Sequence, residues 1–447
     1  MDPATIECDL LVIGAGMAGL SAAGWAAERG AKVIVVEKAP AIGGSAVLSG
    51  GVLWTAASPE KMAFYADGDR ALGHVVFATY PDAIAWLRRR GVAISPRMNV
   101  LHGYGYQIDI VDFARGCASL VEAAGGHVIV ETTTSALITD DGGAVIGAQT
   151  SHADGDVTVL ARSTILATGG FQASPELRAR YIHPHAREMR LRSNPHSDGQ
   201  GLRLGEAVGG EIAGTNPGFY GHLVSESDTW GEERLYVMLS QYHSDQALLL
   251  NEQGLRFCDE TFGDHANTYQ TLIQRNARAL CVWDARVHAQ HATQPIVAVG
   301  IPVDKMQAAL DHGGKGIVAS APSEIGAFAS AQGFDGTQVE RSIAAFNHAA
   351  RHAWETLDPP RMDVCEPLDQ APFYALVVHP AITFTFGGLT IDPRARVLDH
   401  TGRPITGLLA AGSDAGGAFG TGYAGGLALA MTFGIVAART AGWGDTE

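Results

Sequence analysis

The sequence predicts an α/β fold in which one parallel-sheet domain is built from both ends of the chain and interrupted by an inserted α+β segment. Residues 9–14 form an apolar run typical of a buried strand, and a small-residue helix and a second strand, AKVIVVE, follow it. The strand pattern resumes after Pro372, beyond a stretch with several helical patterns and fewer glycines. We therefore assign residues 1–235 and 366–447 to the sheet domain and residues 236–365 to the insertion.

Composition and charge exclude several classes of protein. The chain has 447 residues, of which 46% are hydrophobic and 17% charged, as in a globular protein rather than a disordered one. The net charge of −16 leaves no basic patch for nucleic acid. Residues 415–438 carry no charge, but seven of these 24 residues are glycines, which favours a loop running into a buried helix over a membrane span.

The cysteines and the N-terminal residues bear on the cellular location of the protein, and the spacing of the cysteines does not predict a metal site. Five cysteines are scattered along the chain, and none forms a C-x-x-C pair, so we expect no zinc, iron–sulfur cluster or attached haem. The first residues carry acids where a secretory signal would carry positive charge. We expect a cytoplasmic protein without a bound metal.

The first strand leads into a nucleotide-binding pattern. Gly14, Gly16 and Gly19 form G-x-G-x-x-G between the strand and the small-residue helix. These positions allow a tight turn, close approach of the backbone to a pyrophosphate, and packing of helix on sheet. Glu37 ends the second strand about twenty residues later, where a carboxylate binds ribose hydroxyls. The pattern predicts a Rossmann-type dinucleotide site.

Further glycine motifs recur along the chain, but no second fingerprint follows a strand, so a separate NAD(P)-binding unit is not evident. Glycines after the second strand suit a chain that passes close to a flat cofactor. Two later strands each end in a glycine turn, and polar residues beside these turns suit contact with a ribityl chain. The motifs are Gly43-Gly44-Ser45, Ser49-Gly50-Gly51, Thr164–Gly170, Asp198-Gly199 and Gly412-Ser413-Asp414.

Taken together, the motifs resemble the fumarate reductase/succinate dehydrogenase flavoprotein superfamily over nearly the whole chain. The matching segments are GAGMAG, GGSAVLSGGVLW, ILATGGF, NEQGLRFCDE, GGLTID and GLLAAGSDAGG, in the family's order. The resemblance implies non-covalent FAD, a discontinuous Rossmann-type domain and a mobile cap. The cofactor-binding residues that we expect are Gly14, Gly16, Met17, Ala18, Gly19, Glu37, Lys38, Gly43, Gly44, Ser45, Ser49, Gly50, Gly51, Ala167, Thr168, Gly169, Asp198, Gly412, Ser413, Asp414 and Leu427.

The charged groups that hold a dicarboxylate in fumarate reductases are absent from the matching positions. Where those enzymes have a proton-donating arginine after N-x-x-G-x-R-F, this chain has Asp264 and His265. Their substrate-binding histidine is replaced by the segment 383–386, Thr-Phe-Thr-Phe, and Tyr423 lies near the place of their final arginine. A dicarboxylate would leave its charges unpaired, at a cost of several kcal/mol. The resemblance therefore favours an uncharged substrate.

The replacements are similar to the 3-ketosteroid Δ1-dehydrogenase branch. SGGVLW resembles its S-G-G-x-x-W segment, and AFGTGYAGG resembles the loop whose tyrosine and glycine N–H hold the substrate ketone, although this loop is about three residues shorter. The resemblance makes Tyr423 the hydroxyl donor and Gly426 or Leu427 the amide donor. It implies that a base removes a proton next to the ketone while flavin N5 accepts hydride from the next carbon.

The identity of the base stays open in the sequence. The ketosteroid branch uses a tyrosine in this loop, and none stands at the matching position. We rank His265 first because histidine titrates near neutral pH, Tyr269 second and Asp264 third. Tyr104 and Tyr106 are candidates for a second active-site tyrosine.

Three readings of the function follow from the sequence. The first is a dehydrogenase that desaturates a cyclic ketone and passes electrons to a quinone, a carrier or oxygen. The second is a reductase for an enone or an unsaturated acid. The third is a flavin-binding or redox-sensing protein without turnover.

Overall fold

The computed structural model describes residues 4–213, 218–232, 235–295, 302–363 and 365–444. Its strands are β1 (Ala4–Ile13), β2 (Val33–Val36), β3 (Val52–Ala56), β4 (Met98–Val100), β5 (Gly103–Gln107), β6 (His127–Ile129), β7 (Thr133–Thr139), β8 (Val145–His152), β9 (Gly155–Leu166), β10 (Arg190–Leu191), β11 (Phe219–Ser225), β12 (Leu248–Leu250), β13 (Ala279–Asp284), β14 (Gly316–Ala319), β15 (Phe373–Thr385), β16 (Leu389–Thr390), β17 (Arg396–Leu398), β18 (Pro404–Ala410) and β19 (Ala415–Gly416). Its α-helices are α1 (Met17–Glu28), α2 (Pro59–Ala66), α3 (Arg70–Arg89), α4 (Ile110–Ala123), α5 (Pro175–Tyr181), α6 (Gln200–Ala207), α7 (Leu235–Met238), α8 (Asp264–Leu272), α9 (Ala285–Val287), α10 (Lys305–Asp311), α11 (Pro322–Ala331), α12 (Gly336–His352) and α13 (Gly426–Thr440).

The chain divides into two compact units. The first unit comprises residues 1–182, 193–219 and 384–447, and the second comprises 183–192 and 220–383. The second unit is larger than the insertion expected from the sequence, because most of β15 is a central strand of its sheet. An apolar strand such as β15 has the same local pattern in either domain, so the sequence does not show which sheet it joins.

The first unit is built on a mixed sheet in the order β17-β18-β9-β1-β2-β6, in which β18, β9, β1, β2 and β6 are parallel and β17 pairs antiparallel with β18. Strand β1 pairs in parallel with β2 and β9, so that Val12 lies between Val35 and Ile165, all three fully buried. Strand β18 also pairs in parallel with β9. The carboxyl ends of β1, β2, β9 and β18 therefore meet at one edge, and each of these ends leads into a glycine motif.

Two helices of small residues pack closely in this unit. A Cβ atom on Gly19 of α1 would lie 1.9 Å from the Gly14 carbonyl oxygen, and one on Gly434 of α13 would lie 2.3 Å from that of Ala18. Glycine at position 434 therefore lets α13 lie directly against α1, and glycine at position 19 lets α1 lie directly against the turn after β1. Within the part of the chain that the structure describes, no helix is long and apolar enough to span a membrane.

The second unit has its own sheet and core. Strand β15 pairs antiparallel with β13 and β14 and in parallel with β10, and the order β10-β15-β13-β12 places β13 and β15 at its centre. Trp283 of β13 is fully buried in the core. Helix α8 begins at Asp264, because Gly263, with φ of 96°, turns the chain immediately before it.

Candidate active site

The glycine motifs of the first unit meet at the carboxyl edge of its parallel strands. The Gly43 N–H donates to the carbonyl oxygen of Ala15 at 2.7 Å, and Gly16 and Gly43 form a parallel bridge. A Cβ atom on Gly44 would lie 3.2 Å from the Gly16 Cα atom. The first two motifs therefore form one continuous backbone surface.

The other two motifs complete this surface. A Cβ atom on Gly14 would lie 2.3 Å from the carbonyl oxygen of Ala167, which begins the turn after β9. One on Gly412 would lie 3.0 Å from the Cβ atom of Ala18 in the first turn of α1. Among the residues that the structure describes, in contrast, none apart from its chain neighbours lies within 4 Å of a Cβ atom placed on Gly16, and none caps α1 with its side chain. Open space at an uncapped helix N-terminus fits the pyrophosphate of a dinucleotide.

Glu37 is held by the backbone in an orientation that suits a ribose. Its two carboxylate oxygens accept hydrogen bonds from the N–H groups of Ala15 and Ala39, each at 2.7 Å. Each carboxylate oxygen can accept a further hydrogen bond. Glu37 is thus pre-positioned beside the glycine turn with acceptor capacity for hydroxyl groups.

Asp414 organises the turn after β9. Its carboxylate accepts hydrogen bonds from the N–H groups of Thr168 (2.5 Å) and Gly170 (3.1 Å) and from the Thr168 hydroxyl (3.0 Å). Burial raises the pKa of this carboxyl group. These bonds connect the motif Gly412-Ser413-Asp414 to the turn after β9. They account for the Asp414 carboxylate within the protein, and the contact with the cofactor that the sequence predicts for it stays a prediction.

Other predicted cofactor residues already have partners in the protein. Lys38 and Asp198 form an ion pair at 3.0 Å. The Ser49 hydroxyl donates to the carbonyl oxygen of Ala46 at 2.6 Å, and a Cβ atom on Gly51, whose φ is 70°, would lie 2.2 Å from the carbonyl oxygen of Ile108. Close backbone packing therefore accounts for Gly51 without a cofactor.

Tyr423 and Gly426 are brought together at the start of α13. The Gly426 N–H donates a hydrogen bond to the Tyr423 hydroxyl oxygen at 3.1 Å. Gly425, with φ of 100°, makes the turn between them, and a Cβ atom there would lie 1.9 Å from the Trp54 carbonyl oxygen. The hydroxyl and the first N–H of a helix, where the helix dipole is positive, are therefore neighbouring donors.

Aromatic rings surround this pair of donors. The Tyr423 ring has its centroid 5.4 Å from that of Trp54, 5.8 Å from that of Phe419 and 6.1 Å from that of Phe384, all edge to face. We call Trp54, Phe384, Phe419 and Tyr423 the aromatic cluster. Apolar walls around neutral donors suit a carbonyl group on an uncharged molecule.

A histidine that sequence reasoning missed contacts the aromatic cluster. The ring of His102 stacks on Tyr65 at 3.7 Å and meets Trp54 edge to face at 5.2 Å. Burial lowers the pKa of His102 to about 4, so the ring is neutral at pH 7. Tyr104 instead contacts Tyr80, with ring centroids 5.8 Å apart.

The second unit contains a buried acid next to a buried histidine. His222 Nδ1 lies 2.5 Å from Asp264 Oδ2, and Asp264 Oδ1 accepts the Leu223 N–H at 3.1 Å. The side chains of His222 and Asp264 are 5% and 9% exposed. Burial raises the pKa of Asp264 to about 7 and lowers that of His222 well below its usual value. Near neutral pH the pair is therefore expected to gain or lose its proton at Asp264 while His222 stays neutral.

Arg192 forms part of the same buried surroundings. Its Nη2 donates to the Tyr242 hydroxyl at 2.8 Å, its Nη1 to the Thr383 hydroxyl at 3.2 Å, and its Nε to the Tyr236 carbonyl oxygen at 3.1 Å. The ring of Tyr242 in turn lies 4.8 Å from that of His222. The positive charge of Arg192 lowers the pKa of both His222 and Asp264, while its donors are engaged within the protein.

The remaining candidates for the base lie on α8. His265, half-buried, has its ring 5.7 Å from that of Tyr220. Tyr269 lies one turn further along α8 and is also half-buried. The structure brings Asp264 together with His222, which lies 42 residues earlier in the sequence. Sequence reasoning gives no sign of this pairing, because a lone histidine is more often structural.

Comparisons with known proteins agree with this architecture. A family model described as an FAD binding domain matches residues 9–427. A fumarate reductase (cytochrome) of Shewanella frigidimarina is 27% identical over 97% of this chain and 76% of its own length. A 4-oxocyclohexanecarboxylate 2-dehydrogenase of Sinomonas cyclohexanicum is 26% identical over 97% of this chain and 92% of its own length.

A solved structure shows the same fold. The crystal structure of 3-ketosteroid delta1-dehydrogenase from Sterolibacterium denitrificans aligns over 97% of this chain and 99% of that chain, with a TM-score of 0.78 and 17% identity. The matched family model covers the glycine motifs, Glu37 and the loop of Tyr423. The chain belongs to the FAD binding domain family and is an FAD-dependent oxidoreductase that acts on CH–CH groups.

Proposed function

We propose that this enzyme desaturates the C–C bond next to a ketone in a mostly uncharged, cyclic substrate. The observation that carries the proposal is the hydrogen bond of 3.1 Å from the Gly426 N–H to the Tyr423 hydroxyl oxygen, since a ketone oxygen that takes over the Gly426 N–H would also lie within reach of the Tyr423 hydroxyl group. Two neutral donors at one place can both bond a carbonyl oxygen, which has two lone pairs.

The two donors act on the charge that develops when the α-proton leaves. The oxygen of the ketone becomes an enolate oxygen, and a hydroxyl and a helix N-terminal N–H stabilise that charge more than they stabilise the neutral ketone. The aromatic cluster keeps the surroundings of Tyr423 apolar, which strengthens these hydrogen bonds. The expected contribution of one such donor is about 10² to 10³ in rate.

Asp264 is the base that we favour for removing the α-proton. A pKa of about 7 leaves half of the carboxyl groups ionised at neutral pH while keeping the ionised form strongly basic. His222 holds the Asp264 carboxyl group by a 2.5 Å contact, and the Leu223 N–H fixes its other oxygen. FAD, when bound, supplies the acceptor for the hydride from the β-carbon. Electrons then leave to an external acceptor, for which a quinone, a carrier or oxygen is proposed.

The proposal of an uncharged cyclic ketone as substrate is supported by the contacts of Arg192 and by one relative. Arg192 donates to Tyr236, Thr383 and Tyr242, which engages three of its five N–H groups within the protein. One relative, by its name, acts on 4-oxocyclohexanecarboxylate, a cyclic ketone. A cytoplasmic location is proposed from the five free cysteines.

The experiment that tests the function is anaerobic mixing of the oxidised enzyme with a panel of cyclic ketones. Bleaching of the flavin absorption, with formation of the enone, is the expected result. Reaction of the prereduced enzyme alone, with enones or fumarate, would assign the reductase function instead.

The reductase is the second candidate, because the same groups serve the reverse reaction. Protonated Asp264 would then donate the proton that the base removes in the forward direction. The fumarate reductase relative supports this direction. If neither the oxidised nor the prereduced enzyme reacts, a flavin-binding protein without turnover becomes the better description.

A further inference from the structure

Gln172, just after the turn that follows β9, has a buried carbonyl oxygen that nothing in the mechanism uses. The residue is 1% exposed. Its Nε2 donates to the Ser193 hydroxyl at 3.3 Å, and its Oε1 has no hydrogen-bond partner among the residues that the structure describes. A buried acceptor without a donor is costly, because it has lost water and gained nothing in return.

The surroundings of this oxygen belong to the cofactor cradle. A Cβ atom on Gly170 would lie 3.0 Å from Gln172 Oε1 and 2.9 Å from the Cβ atom of Ser413, a predicted cofactor residue. The Ser193 and Ser45 hydroxyl oxygens lie 2.6 Å apart, so Gln172 is connected through Ser193 to the Gly-Gly-Ser motif after β2.

The same network is otherwise well satisfied. Asn194 Nδ2 donates to the hydroxyl oxygens of Ser45 at 2.5 Å and Ser197 at 3.2 Å, and Asn194 Oδ1 accepts the His196 N–H at 2.8 Å. The neighbouring polar groups in this network have hydrogen-bond partners, and among the residues that the structure describes only the Gln172 Oε1 acceptor of the network has none. This pattern points to a donor that comes from outside the protein chain.

We propose that Gln172 Oε1 accepts a hydrogen bond from FAD and so anchors the cofactor. An acceptor selects among the parts of FAD: the ribityl and ribose hydroxyls and the ring N–H can donate, whereas the pyrophosphate oxygens can only accept. Gln172 therefore binds a sugar hydroxyl or a ring N–H and not the pyrophosphate. This inference concerns cofactor retention and goes beyond the proposed ketone chemistry.

The test compares Gln172→Met, which keeps the size of the side chain and removes its polar atoms, with the wild type. We expect the apoprotein of Gln172→Met to melt at the wild-type temperature or above it, because an unpaired buried acceptor is gone. We expect its Kd for FAD, measured by fluorescence quenching during reconstitution, to rise about tenfold, as loss of one hydrogen bond predicts.

The matched control is Gln241→Met. Gln241, in the second unit, is fully buried, donates through Nε2 to the Leu239 carbonyl oxygen at 2.8 Å, and also has no partner for Oε1 among the described residues. The same chemical change there should leave the Kd for FAD unchanged. An unchanged Kd in Gln172→Met, or an equal loss in both variants, would overturn the proposal.

A second variant covers the case in which Gln172→Met does not fold as an apoprotein. Gln172→Glu keeps oxygen acceptors at the same distance from the backbone. A Kd for FAD within about threefold of wild type supports the proposal, and a rise of about tenfold or more overturns it. Both readouts are binding constants, so they are independent of whether any ketone reacts.

Discussion

The two units hold their reactive groups in opposite ways. In the first unit, Tyr423 and Gly426 are neutral donors three residues apart, placed by one glycine turn at a helix N-terminus. In the second unit, Asp264 is an ionisable group 42 residues from its partner His222, and burial raises its pKa to about 7. One arrangement depends on local backbone geometry and the other on the packing of distant elements.

The difference shows how the chemistry is divided. Stabilising an enolate requires donors that are already oriented and do not titrate, which a tyrosine and a backbone N–H supply at any pH up to about 9. Moving a proton requires a group whose pKa lies near the working pH. The proposed reaction therefore takes its pH dependence from the second unit and its pH-independent stabilisation from the first.

Asp264→Asn should have the largest effect. Removing the proposed base should slow flavin reduction by a cyclic ketone about 10³-fold, measured by anaerobic stopped flow. Asp245→Asn is the matched control, because Asp245 is another acid in the second unit whose pKa is raised by burial. A rate that falls equally in both variants would assign a structural role to Asp264.

Tyr423→Phe should slow the same step less, by about 10²-fold, since the Gly426 N–H still bonds the ketone oxygen. The reduction rate at saturating ketone is the measurement. Tyr181→Phe, which removes a tyrosine hydroxyl at the end of α5 in the first unit, should leave the rate within about threefold of wild type. A normal rate in Tyr423→Phe would contradict its assignment as a ketone-binding donor.

The pH profile of flavin reduction should separate the candidate bases. Because the base must be ionised, the rate should rise about tenfold per pH unit below the pKa of Asp264, about 7, and become constant above it. The profile of Tyr423→Phe should keep this midpoint at a lower rate. His265→Ala should also keep it, and a lost or displaced midpoint in that variant would move the assignment to His265.

The smallest expected effect is on stability. The pKa of Asp264 is about 7 in the folded protein, against an ordinary value of 3.8. Ionisation of this group therefore lowers the free energy of unfolding progressively from pH 4 to pH 7, and by a constant amount above pH 7. Asp264→Asn should therefore raise the Tm at pH 8 by about 2 °C or more. The difference should vanish near pH 4, and a Tm that is lower at every pH would contradict the raised pKa.

Much of the first unit can be predicted from the sequence, because its signals are local. The glycine fingerprint, Glu37 and the small-residue helix follow one another within a single strand–helix–strand unit. Gly51 shows the limit of such reasoning: its positive φ serves the packing against Ile108, which a glycine-rich segment does not distinguish from contact with a cofactor.

The sequence by itself determined the cofactor family, because the glycine turns that mark it are properties of the local backbone, and it placed Tyr423 beside two candidate amide donors, Gly426 and Leu427. Only the tertiary structure shows that the pKa of Asp264 lies near neutrality, at about 7, which makes this residue the base that we propose. The side chain of Asp264 is 9% exposed and is held by His222 and by the Leu223 N–H, residues that lie more than forty positions away in the sequence. Desolvation, which sets that pKa, is a property of packing and has no signature in the sequence.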